Sequence, residues 1–78
     1  MTFYEWMISR YDGKDTPRGD LAYDMKRSSD FPDTNDRDRL LRYLHVKRAC
    51  KEAVAVFKRC FRDYTRAVEA GAVTSPVK

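Results

Sequence analysis

The chain holds only two cysteines, one histidine, three glycines and three prolines in 78 residues, and each scarcity removes a class of protein. Cys50 and Cys60 lie within a stretch that reads as helix, which at about 1.5 Å rise per residue sets them roughly 15 Å apart. A disulfide needs Cα atoms within about 7 Å, so both are expected to be free thiols, as in a reducing cytoplasm. His45 with two cysteines a helix apart leaves zinc without a fourth ligand. No stretch approaches the ~20 apolar residues of a membrane span. The opening "MTFYEWMISR" lacks the basic start and apolar run of an export signal. The chain is therefore expected to be soluble and cytoplasmic. A nucleophile–base pair is missing, as are a glycine-rich phosphate loop, strand-like alternation and internal repeats. No catalytic constellation remains, so neither an enzyme nor a cofactor is expected.

What is present reads as one small helical domain. The apolar fraction of 42% and aromatic fraction of 13% exclude a disordered tail. Thr2 and Glu5 are spaced as a capping box before a first helix whose Phe3, Trp6 and Met7 share a face. Tyr4, Ile8 and Tyr11 share the next, and "DGKD" at 12–15 ends the helix. Thr16 and Pro17 read as N-cap and first position of a second helix over about 17–27, with Leu21, Ala22 and Met25 apolar. Pro32 keeps residue 31 out of a helix, and Phe31 is expected to plug the core. Asp33, Thr34 and Asn35 compete as N-cap of a third helix buried through Leu40, Leu41 and Leu44. Around His45–Arg48 the chain either turns or continues. The fourth helix carries Ala53, Val56, Phe57, Cys60, Phe61, Tyr64, Ala67 and Val68 at three- and four-residue spacing, with Gly71 closing it. A single domain over 1–71 and a frayed tail over 72–78 follow.

"FYEWMISR" followed by "TPRGDLAYDMKRSSDFP" resembles the small YozE-like proteins. The residues that carry the likeness are Phe3, Tyr4, Trp6, Thr16, Pro17, Asp20, Leu21, Ala22, Asp24, Phe31 and Pro32. It covers about the first 32 residues well; beyond them Tyr43, Leu44, Phe57 and Tyr64 are compatible. The resemblance implies an all-α, compact four-helix bundle like a sterile alpha motif (SAM-like). It also implies an origin among uncharacterised proteins of Gram-positive bacteria and their mobile elements, and it supplies no catalytic residue. The second half of this chain is much more basic than the family pattern.

Charge is unevenly laid out. Residues 1–36 hold five basic and eight acidic residues, net −3, while residues 37–78 hold eleven and four, net +7. Such asymmetry points to acidic partners or to the chain's own other half. The tripeptide Arg18-Gly19-Asp20 lies in a helix start of a chain without an export signal, which excludes adhesion. Asp20 and Asp24, one turn apart, read as a solvated acidic face. Lys47, Lys51, Lys58, Arg62 and Arg66 line one side of the fourth helix, and Arg37, Arg39 and Arg42 come from the third. Arg48 and Arg59 flank them. A basic stripe of this kind is the footprint of phosphate-backbone binding, and it also suits an acidic protein surface. Glu52, Asp63 and Glu69 are expected to interrupt it, which tips the expectation toward a protein partner. That partner would meet Tyr4, Trp6, Tyr11, Asp20 and Asp24. An inhibitor of a host complex, of phage or mobile-element origin, would be one such protein. Nucleic-acid binding through the basic set is the alternative, and a homodimer is compatible with the apolar excess.

Overall fold

Each helix starts at a side chain that satisfies its orphan amides. In the computed structural model, which describes residues 1–73, helix α1 runs Phe3–Tyr11. Its capping box is complete: the Glu5 amide donates to Thr2 Oγ1 at 3.1 Å and the Thr2 amide donates to Glu5 Oε1 at 2.8 Å. Helix α2, Pro17–Arg27, begins on Thr16, whose hydroxyl accepts from the Gly19 amide at 3.0 Å. Both starts are those read from the sequence.

Helix α3, Arg37–Val46, starts one residue later than any of the three expected caps. Asp36 is the N-cap, its carboxylate accepting from the Asp38 and Arg39 amides at 3.0 and 3.4 Å. Asn35 is committed elsewhere. Its Oδ1 accepts from the Phe3 amide at 2.9 Å, and its Nδ2 donates to the Tyr64 hydroxyl at 3.0 Å. That hydroxyl donates in turn to the Met1 carbonyl at 2.6 Å. The Phe3 amide is one of the donors a helix start leaves unsatisfied, so a loop residue 32 positions away serves as its partner.

The ambiguous segment after His45 is a turn. Arg48 adopts φ 59°, the left-handed region, and the Arg48 and Ala49 amides close back onto the His45 and Leu44 carbonyls at 3.0 and 2.9 Å. This is the Schellman closure usually given to glycine. The end of helix α4 (Lys51–Glu69) repeats it with Gly71 at φ 77° and the Ala72 amide on the Ala67 carbonyl at 2.9 Å. Ala72 and the half-buried Val73, the first two residues of the expected tail, take part in this closure. Residues 74–78 of that expected tail lie outside the described residues. Because the two closures differ only in residue type, Arg48→Gly is expected to stabilise the fold by about 1 kcal/mol. That is relief of left-handed strain, partly offset by unfolded-state entropy, and it should raise Tm by roughly 4–8 °C. A thermal melt followed by circular dichroism reads it, and an unchanged or lower Tm counts against strain at this turn.

Helix α4 is the spine. α1 and α2 pack against each other and both against α4, and α3 also packs on α4. The core is Phe3, Trp6, Met7, Leu21, Ala22, Met25, Leu40, Leu44, Val56, Phe57, Cys60 and Tyr64. Phe3 sits at its centre, with ring centroids 5.5 Å from Phe57, 5.0 Å from Phe61 and 5.7 Å from Tyr64. Burial raises the Cys60 thiol above its ordinary range, while Cys50 lies exposed at the start of α4; both are free. Phe31 does not enter the core. It stays half-buried, its ring 5.7 Å from Tyr4 and 5.3 Å from Tyr43.

Candidate nucleic-acid interface

The buried residues of α4, Val56, Phe57, Cys60 and Tyr64, define its inward side. At about 100° per residue the opposite side is Lys51, Ala55, Lys58, Arg62 and Arg66, each three or four positions from the next. All five are exposed. Fifteen steps at about 1.5 Å make this line roughly 22 Å long. Glu52 and Asp63 were expected to break it and do not. Each is one residue, hence about a quarter turn, away from a member of the line and faces α2. Glu52 borders a cavity with Asp20, Leu21 and Asp24. Asp63 is held 2.6 Å from the Arg18 guanidinium. That hydrogen bond keeps the Asp63 carboxyl below its usual range and the Arg18 guanidinium above its own. Arg62 approaches Asp63 no closer than 3.9 Å. Only Glu69 shares the direction of the line, and it follows the last cation.

The other expected contacts divide. Lys47 is turned away from the line, its ammonium 2.6 Å from Asp30 and 5.7 Å from the centre of the Tyr43 ring. The bond to Asp30 raises the Lys47 pKa above the ordinary lysine range. Arg37 leans toward Asp38 at 3.9 Å. Arg39 and Arg42 are exposed on α3. The α3 residue that reaches the α4 line is His45, which borders a shallow cavity of about 360 Å³ with Ala49, Lys51, Val54, Ala55 and Lys58.

In the N-terminal half, Trp6 is only 4% exposed and belongs to the core, edge-on to Tyr64 at 5.5 Å. It has no surface to offer a partner, because the face it shares with Phe3 and Met7 is the one that docks on α4. Tyr4 is half-buried in the row of rings with Phe31 and Tyr43. Tyr11 is half-buried and accepts a hydrogen bond from Arg18 at 3.1 Å. Asp20 and Asp24 are exposed along α2.

One feature escaped the sequence. A cavity of about 340 Å³ opens where the α1–α2 turn meets α4, lined by Tyr11, Lys14, Pro17, Arg18, Val56 and Arg59 together with the capping Thr16. Lys14 and Arg59 are 45 positions apart, and nothing local in the sequence joins them.

Four helices without a strand among the described residues, the longest of them last, make this a small all-α bundle of the SAM-like class. The family model described as YozE SAM-like fold matches residues 2–66, and the chain belongs to that family. The match runs well past the 32 residues on which the likeness first rested, to the last cation of the α4 line. No curated protein and no solved structure matches the chain. Among the described residues no helix is long and apolar enough to cross a membrane, and no group of three or more His, Cys, Asp or Glu is placed to hold a metal ion.

Proposed function

We propose that this protein is a non-enzymatic binding module that holds a nucleic-acid backbone against the solvent face of α4. The observation that carries the reading is the run of Lys51, Lys58, Arg62 and Arg66, with Glu52 and Asp63 turned toward α2, Asp63 tied to Arg18, and Glu69 beyond the last cation. Lys51, Lys58 and Arg66 make no ion pair among the described residues, so their charge is available to a partner. Contacts of this kind go to phosphates and do not depend on sequence.

Fluorescence anisotropy with random duplex DNA tests it. Four phosphate contacts give a log–log salt slope near −3.6, so affinity should fall roughly 100-fold between about 50 and 200 mM salt. The double variant K58E/R62E should lose binding even at the lower salt while keeping its helical spectrum. Absence of binding by the native chain at low salt overturns the proposal.

A protein partner is the second reading, favoured by the row Tyr4–Phe31–Tyr43, which borders cavities of about 450 and 230 Å³. A partner captured by that row would be lost on Tyr4→Ser and retained by K58E/R62E.

A further inference from the structure

We infer that the cavity between the α1–α2 turn and α4 holds one unstacked nucleotide, so that the nucleic acid this protein takes is single-stranded. The inference rests on the backbone-binding reading and narrows it to one substrate class. The cavity of about 340 Å³ borders the basic line through Arg59, one residue round the helix from Lys58. Two chemistries meet in it. Lys14, Arg18 and Arg59 place three cations on its lining, and no carboxylate lines it. Arg18 is already committed to Asp63 and Tyr11, at 2.6 and 3.1 Å. Lys14 and Arg59 make no ion pair among the described residues and are left for an anion.

Beside Thr16, whose hydroxyl is taken by the Gly19 amide, the rest of the lining is the Tyr11 ring, Pro17 and Val56, a mainly apolar wall. An inorganic anion has no use for such a wall, whereas a base attached to a phosphate does. A duplex keeps its bases inside and offers only phosphates to the α4 line. A single strand can turn one base into the cavity while its neighbouring phosphates follow Lys58, Arg62 and Arg66. A positive track with a stacking or apolar station beside it is how proteins bind single strands without reading sequence.

Amide-resolved NMR on the full chain, with parallel affinity measurements, tests this using five probes. They are a ten-residue oligothymidylate, a duplex of equal length, thymidine 5′-monophosphate, thymidine and inorganic phosphate. The oligothymidylate should bind about tenfold tighter than the duplex and shift the Lys14, Arg18 and Arg59 amides. Thymidine monophosphate should shift the same amides more than phosphate or thymidine does. Lys14→Ala should lower single-strand affinity about tenfold and leave duplex affinity within about twofold, since Lys14 is not on the α4 line.

If duplex and single strand bind alike and these amides stay still, the cavity assignment falls while backbone binding by α4 stands. If thymidine monophosphate moves them and the oligomer does not, the cavity takes a free nucleotide and the single-strand assignment falls. Equal shifts from inorganic phosphate and the monophosphate remove the base from the site. No binding of any nucleic acid at low salt overturns both readings.

Discussion

Phe3→Ala is expected to bring the chain to the edge of unfolding at 25 °C. Phe3 is 0% exposed, and its ring meets Trp6, Phe57, Phe61 and Tyr64. Removing a buried phenyl ring costs about 3–5 kcal/mol, transfer and cavity together. At the usual 0.05–0.15 kcal/mol per residue, a domain of this size has roughly 4–12 kcal/mol in total. The loss therefore consumes much or all of its stability. Urea unfolding of Phe3→Leu, which keeps most of the volume and should lose less than about 1.5 kcal/mol, provides the measurable partner. If Phe3→Ala unfolds with a midpoint close to that of the native chain, the aromatic cluster is not the centre of the core.

Gly19→Ala is the second large effect, and it comes from space instead of burial. Gly19 lies in the first turn of α2 and is buried. A Cβ there would fall inside contact distance of the Lys14 carbonyl oxygen and carbon, with the Lys14 Cβ at 3.0 Å. Backbone atoms cannot rotate aside, so the α1–α2 turn must move. Overpacking of this kind costs about 3 kcal/mol at its upper range, which lowers Tm by roughly 12–24 °C in a domain of this size. Gly13 is the control: it has nothing within 4 Å of an added Cβ, although its φ of 82° strains any substitution. A melt in which Gly19→Ala matches the native Tm sinks the argument. The result bears on Arg18-Gly19-Asp20 as well. Its glycine closes a turn and its arginine binds Asp63, so only Asp20 of the three is exposed. The close approach is to the backbone of the preceding loop at Lys14.

Local signals were legible in the sequence and distant ones were not. Thr2 with Glu5, and Thr16 with Pro17, act within three residues of themselves, so α1 and α2 could be read to the residue. Spacing along α4 found its buried side for the same reason. The α3 cap was missed by one position because Asn35 is taken by Phe3 and Tyr64, neither of them near it in sequence. The acids of α4 were counted as interruptions because a linear count ignores direction. One helical step turns Glu52 and Asp63 out of the basic line, and the partner that holds Asp63 comes from α2. Lys47 was counted in that line because its position allowed either a turn or a continued helix. The turn closed by Arg48 takes it off α4 and brings it to Asp30. Trp6 was read both as core and as contact, and packing against Tyr64 decides for core. The cavity beside Arg59 joins residues from three helices and a turn, and no pattern along one element encodes it.

The clasp among Met1, Phe3, Asn35 and Tyr64 also sets when the molecule can exist during its own synthesis. The first helix leaves the ribosome before any of its aromatic neighbours on α4 has been made. At about 5–20 residues per second, the roughly 60 residues from Phe3 to Tyr64 take some 3–12 s to add. Small helical domains rich in local contacts fold in microseconds to milliseconds. Translation, and not folding, is therefore the slow step. For those seconds Phe3 and Trp6 travel on an incomplete chain, open to chaperones and to neighbouring nascent chains, until Phe57, Phe61 and Tyr64 emerge to cover them.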